Sequence, residues 1–214
     1  ALPIISAMSI EACILPSAVL STHTGGFKNF TFRDLTDDLP AIKDHWKSEN
    51  ISFDGIYTGY IGSTKQINYI KDIIDSFNSE IVVVDPAMAD HGKLYYGFDD
   101  EFVGEMKTLC AKADYIVPNI TEACFLTGIP YQEGPYSDDF IDGLIFKLGE
   151  LGIKSLVLTG VTYDGINLGA VSYDYQSKDK NYYARKIIDD YFHGTGDCFA
   201  SALVAALVKG IDLA

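Results

Sequence analysis

Apolar positions along this chain alternate between short continuous runs and stripes at helical spacing. Ser63, with Gln66 three residues on, makes a capping box ahead of Ile67, Ile70, Ile74 and Phe77, which share one helix face. Residues 80–85 form a β-branched run of the kind seen in strands covered on both faces, and the run ends in Asp85-Pro86. Further strands are predicted at 53–60, 115–117 and 155–159, with helices near 98–112, after Thr121 as a cap, and near 138–151. Thr36 reads as the N-cap of another helix, with Asp37 and Asp38 in its first turn, Pro40 near its start, and Leu39, Ile42 and Trp46 at helical spacing. Residues 11–20 read as a short buried strand disturbed by Pro16, followed by a polar loop at 21–26. After Gly160 polar and apolar residues alternate over 166–175 and 181–188, which predicts an antiparallel hairpin. The chain opens in an apolar helix-like segment, and Gly194-Thr195-Gly196-Asp197 opens a last apolar helix. Strands alternating with helices predict an α/β fold with a doubly wound, mainly parallel sheet flanked by helices and ligands at the strands' carboxyl ends. There is no internal repeat and no linker.

Composition narrows the function. The chain has 214 residues, 48% of them hydrophobic and 21% charged, enough to bury one α/β core. With 16 Lys and Arg against 30 Asp and Glu, the net charge of -14 disfavours nucleic acid and anionic lipid as partners. An anionic substrate would need a metal ion or a cluster of backbone amides to offset that field. Cys13, Cys110, Cys124 and Cys198 form no C-x-x-C pair and read as core thiols in a reducing compartment. No apolar stretch of roughly twenty residues and no basic leader are present, so the sequence predicts a soluble, cytoplasmic protein with no membrane partner.

Candidate chemistry gathers where predicted strands end. Two glycines at 194 and 196 permit a tight turn, and the free amides of a helix N-terminus attract anions, with Asp197 just inside. Asp85, Asn119 with Glu122, and Thr159 with Gly160 all end parallel strands, so they open onto one crevice able to hold a hydrated Mg²⁺ on a triphosphate. Taken singly, each has an ordinary reading: Asp197 as a helix-dipole partner, Asp85 as a turn residue before proline, Glu122 as a first-turn acid. A flat aromatic ligand could stack on Tyr60 or Tyr95 while His23 and Thr24 bond its substituents. His45 and His91 have no partner at metal-ligand spacing and read as surface residues. No G-x-x-x-x-G-K-[ST] loop occurs, which excludes a P-loop kinase.

Five motifs taken together carry a resemblance: Ser21-Thr22-His23-Thr24-Gly25-Gly26, Tyr57-Thr58-Gly59-Tyr60, Val84-Asp85-Pro86-Ala87-Met88-Ala89-Asp90, Val117-Pro118-Asn119-Ile120-Thr121-Glu122 and Gly194-Thr195-Gly196-Asp197. In this order, over nearly the whole chain, they resemble the vitamin B6 kinases, the pyridoxal kinases of the ribokinase-like superfamily. The resemblance implies ATP-dependent phosphorylation of the 5′-hydroxymethyl group of pyridoxal, pyridoxamine or pyridoxine. It also implies Asp197 as general base, with the amides of Gly194, Thr195 and Gly196 as anion hole. Asp85, Asn119 and Glu122 would serve Mg²⁺ with ATP, the two carboxylates through water, and Thr159 and Gly160 would lie near the nucleotide. His23, Thr24 and Tyr60 would contact the pyridine substrate, with Tyr95 on a flap over the site. The resemblance implies a homodimer and leaves a monovalent cation requirement open.

The family begins one strand and a serine-bearing loop earlier and continues further past the last helix, so residues 1–214 read as one kinase domain incomplete at both ends. Ala87 and Ala89 stand where valine or leucine and glycine are commoner. Two other readings remain: hydroxymethylpyrimidine kinase, whose His-Gly-Thr-Gly run usually continues with Cys where this chain has Asp197 before Cys198, and a binding domain without turnover.

Overall fold

Val82, Val83 and Val84 each keep 5% or less of their surface exposed, so the run read as covered on both faces is buried from both sides. The computed structural model describes residues 1–22, 27–190 and 192–213. Helix α1 (Leu2–Ala7) leads to an antiparallel ribbon of β1 (Ala18–Leu20) and β2 (Phe32–Asp34), then α2 (Leu39–Ser48), β3 (Gly55–Thr58), α3 (Thr64–Phe77) and β4 (Ile81–Val84). A small hairpin, β5 (Ala89–Asp90) and β6 (Lys93–Leu94), precedes α4 (Asp100–Cys110), β7 (Tyr115–Ile116), α5 (Ile120–Thr127) and α6 (Asp138–Gly149). The chain closes with β8 (Ser155–Val161), β9 (Asn167–Asp174), β10 (Lys180–Lys186) and α7 (Thr195–Val208).

The 6-stranded sheet has the order β10-β9-β8-β7-β4-β3. Strands β3, β4, β7 and β8 run parallel, and the β9–β10 hairpin extends the sheet antiparallel, as the change of rhythm after Gly160 predicts. Helices α3 to α6 bury Ile67, Ile74, Phe102, Met106, Leu109, Leu144 and Leu148 against Val82, Val84, Ile116, Leu156 and Leu158 on one face. On the other face Val83, Val117 and Val157 meet Ala200, Val204 and Leu207 of α7. Alternate residues of one strand therefore serve two cores, the period of two expected of a strand between layers. Each buried leucine or valine withdrawn from water contributes roughly 1.5–3 kcal/mol. Among the described residues no helix is long and apolar enough to cross a membrane.

Several local expectations are corrected. Residues 11–20 do not form a buried strand: only 18–20 is extended, it pairs with the unforeseen β2 in a separate ribbon, and Val19 is 58% exposed. Thr36 does not cap α2; it lies buried in a 3₁₀ turn, and its Oγ1 accepts a bond from Gln66 Nε2 at 2.8 Å. The Ser63 box forms only by half. Ser63 Oγ accepts the Gln66 N–H, but the Gln66 amide turns inward to Gly62, Ser17 and Thr36, because a buried amide must satisfy both its oxygen and its nitrogen. Helix α5 starts earlier than read, with Asn119 rather than Thr121 as its cap. Cys110 and Cys124 are core thiols, but Cys13 and Cys198 are exposed, one in the unpaired stretch before β1 and the other in the open first turn of α7.

Candidate active site

The site is assembled at the carboxyl ends of the parallel strands, beneath the first turn of α7. Gly194 occupies the N-cap of α7 in the left-handed region, φ 79°, a conformation glycine adopts without strain. The first turn that follows leaves Thr195, Gly196, Asp197 and Cys198 exposed, while Ala200 and Ser201 behind them are fully buried. Ser201 Oγ donates to the Asp197 carbonyl oxygen at 2.5 Å. Amides at such an N-terminus lack partners within the helix and face outward.

Asp85 follows β4 directly and is 9% exposed, its N–H bonded to the Thr58 carbonyl at 3.2 Å. Burial, and secondarily the negative charge of Asp197, push its carboxyl up from 3.8 to about 7, with the Tyr57 hydroxyl acting the other way. Asp85 and Asp197, remote in sequence, are thus electrostatic neighbours.

Glu122 lies behind them, 3% exposed, with both carboxylate oxygens engaged: Oε1 accepts Met88 N–H at 3.1 Å and Oε2 accepts Asn119 N–H at 2.8 Å. Asn119 returns the bond through Oδ1 to Glu122 N–H at 2.9 Å and donates from Nδ2 to the Ala89 carbonyl at 2.9 Å. This pair caps α5 and ties it to the hairpin of β5 and β6. Burial and the charge of Asp85 raise the Glu122 carboxyl well above its ordinary value, against the Asn119 and Met88 amides, and more weakly the Ala89 amide, which favour its ionised form. Thr159 pairs with Asn119 across the strand ends, its N–H on the Pro118 carbonyl at 2.9 Å, and Gly160 follows at φ 76° beside a β-bulge.

The hairpin turns at His91 and Gly92, both in the left-handed region. A Cβ on Gly92 would meet the Tyr131 ring at 2.6 Å, so glycine is demanded there by space as well as by φ. Gly92 N–H donates to Thr121 Oγ1 at 3.1 Å, which is where the hydroxyl expected to cap α5 is used. Tyr95, 42% exposed, follows this hairpin, and its N–H bonds the Met88 carbonyl at 2.8 Å. Tyr60, also 42% exposed, stacks on Phe98 with ring centroids 6.0 Å apart. A cavity of about 160 Å³ touches Tyr57, Gly59 and Tyr60, whereas one of about 510 Å³ lies apart, behind the hairpin against Val103, Cys124 and Tyr131.

Residues 5–214 match the family model described as phosphomethylpyrimidine kinase. The chain belongs to this kinase family. The pyridoxal kinase of Dictyostelium discoideum is 29% identical, over 94% of this chain and 70% of its own length. A Bacteroides thetaiotaomicron protein assigned as a phosphomethylpyrimidine kinase, in a crystal form with pyridoxal, is 36% identical, with a TM-score of 0.92 over 99% of this chain and 75% of its own. Pyridoxal kinase from Lactobacillus plantarum is 32% identical, with a TM-score of 0.89 over 100% of this chain and 75% of its own.

In this member of the kinase family, Asp85, Glu122 and Asp197 come together with Asn119 and Thr159, while Tyr60 stacks on Phe98 and the Tyr95 backbone is bonded to Met88. His23 and Thr24 fall outside the described residues. His45 and His91 are exposed, each beside a surface carboxylate, as surface histidines should be. From the sequence, Tyr57 is named only as part of the Tyr57-Thr58-Gly59-Tyr60 motif, with no role, and Phe98 is not singled out. A signal for Tyr57 existed: it shares the strand face of Val83 and Asp85, two residues from Gly59, and so points toward the same end of the sheet.

Proposed function

We propose that this chain transfers the γ-phosphoryl group of ATP to the 5′-hydroxymethyl group of a B6 vitamer: pyridoxal, pyridoxamine or pyridoxine. The observation that carries the reading is the carboxylate of Asp197 set in an exposed, amide-lined helix mouth as an electrostatic neighbour of buried Asp85. The pyridoxal held by the 36% identical Bacteroides thetaiotaomicron protein supports the choice of substrate.

A primary alcohol scarcely ionises at neutral pH. In this reading Asp197 accepts the hydroxyl proton as the alcohol oxygen bonds to the γ-phosphorus and the bond to the leaving ADP oxygen breaks. The amides of Gly194, Thr195 and Gly196 stabilise the charge spread over the transferring oxygens. Thr159 and Gly160 border the nucleotide, Asn119 keeps Glu122 in place, and His23, Thr24, Tyr60 and Tyr95 form the vitamer side.

The donor set suits Mg²⁺ carried on phosphate oxygens. Among the described residues no three metal-binding side chains converge into a cage, and Glu122 is already bonded to two amides. That leaves Asp85, with Glu122 behind it, to hold the hydrated ion through water, as a cation that dehydrates reluctantly requires. When bound, the ion supplies charge neutralisation at the phosphates. A homodimer and a cytoplasmic setting complete the proposal.

The deciding experiment supplies the purified protein with Mg²⁺ and ATP and, separately, pyridoxal, pyridoxine and hydroxymethylpyrimidine, with the phosphorylated product identified by mass. Turnover should be highest with a B6 vitamer. A preference for the pyrimidine would assign the chain to thiamine precursors despite Asp197 preceding Cys198, and turnover with none would leave a binding domain.

A further inference from the structure

Tyr57 belongs to none of the roles above. It lies opposite Val83 of β4, and its ring packs among Val83, Val117, Val157, Ala200 and Val204, between the sheet and α7. The length of the side chain carries its hydroxyl to the carboxyl end of β3, where a Cβ on Gly59 would come within 4.0 Å. There the hydroxyl oxygen is buried and has no hydrogen-bond partner in good geometry among the described residues. A buried hydroxyl without a partner is uncommon, and in this position the core gains nothing from it that a phenylalanine ring would not supply. Its surroundings say what it is for. Tyr57 lies opposite Val83, and Asp85 follows two residues later on the same face of the neighbouring strand, its N–H held by the Thr58 carbonyl at 3.2 Å, so the phenol hydroxyl and the carboxylate end on the same side of the sheet. A neutral phenol in that position is a donor.

We propose that Tyr57 is a positioning residue for phosphoryl transfer: its hydroxyl, without a partner in the free chain, donates to the Asp85 carboxylate when Mg²⁺ and nucleotide are bound, and fixes the direction of that carboxylate toward the hydrated ion. The inference rests on the kinase reading above. Two carboxylates in one crevice can take different tasks only if their environments separate them. Tyr57 provides that separation, giving Asp85 an internal donor while Asp197 stays at the open helix mouth to meet the alcohol.

The test is Tyr57→Phe, which keeps the ring and removes only the hydroxyl. Calorimetric titration with Mg²⁺-ADP should show binding weakened by about fivefold or more, and kcat should fall by about tenfold, the range for losing a hydrogen bond to a charged group. KM for pyridoxal should stay within about twofold, and the thermal midpoint should be unchanged or higher, because the lost hydroxyl had no partner. In an Asp85→Asn background the same substitution should have little further effect, since the residue acts through that carboxylate. Unaltered Mg²⁺-ADP binding and kcat, or a full additional loss in the Asp85→Asn background, would overturn the proposal. A wild-type chain that phosphorylates no alcohol would defeat the kinase reading, and the Mg²⁺-ADP comparison would still decide the role of Tyr57.

Discussion

Asp85 and Asp197 show how one residue type takes two characters from its surroundings. Asp197 lies exposed in the first turn of α7, while Asp85 sits against the sheet at 9% exposure. Replacing Asp197 with Asn should lower kcat by about 10²–10⁴, the usual loss of a general base, and leave nucleotide affinity nearly unchanged in a binding titration. A fall of less than about tenfold would reduce Asp197 to a helix-terminal acid. Asp85 makes a separate prediction about stability. Its carboxyl holds its proton up to about pH 7 in the folded chain but releases it near 3.8 when unfolded. Between those values the native state binds more protons than the unfolded state, so this group's effect on stability worsens as pH rises through the window. Asp85→Asn, uncharged throughout, should therefore gain on the wild type in the unfolding free energy measured with urea between pH 4 and pH 8, by at least about 1 kcal/mol. A difference that does not change with pH would show that Asp85 is ionised in the fold at low pH.

At the scale of elements, the link between α5 and the hairpin of β5 and β6 joins structure to function. The Asn119 and Glu122 capping box closes α5, and the same Asn119 amide holds Ala89. Asn119→Ala should cost about 1–2 kcal/mol in chemical denaturation, as cap losses do, and should speed amide exchange in the hairpin at 89–94. A stability loss without faster exchange would mean that the hairpin is held by Gly92 and Thr121 instead. The Asn-x-x-Glu spacing was readable, yet the sequence points to Thr121 because either residue type caps helices. The strand end decides between them: Asn119 bridges Thr159 in the extended conformation an N-cap needs, while Thr121 is already inside the helix. The ribbon of β1 and β2 was not legible for a related reason. Three-residue strands with half-exposed or exposed faces carry too little periodicity to stand out.

For the whole molecule, the net charge of -14 opposes the approach of a nucleotide that is itself anionic. Raising salt from about 10 mM to about 150 mM should speed Mg²⁺-ATP association measured by stopped flow, the reverse of an electrostatically steered ligand. Association that slows with salt would show that the amide-lined mouth of α7 outweighs the surface charge. At this scale the division between sequence and structure is clear. The sequence by itself determined the alternation of strands and helices, the hairpin after Gly160, the stripe of α3 and the glycine-flanked acid at the mouth of an apolar helix. These depend on periodicity and turn chemistry within a few neighbouring residues. Only the tertiary structure decided that Gln66 would turn away from its cap toward Ser17 and Thr36, that Asn119 would bind the hairpin, and that buried Tyr57 and Asp85 would become electrostatic neighbours of the exposed Asp197. Desolvation and Coulomb interaction act through space between residues far apart in the chain, and local patterns carry no record of which strand ends will meet.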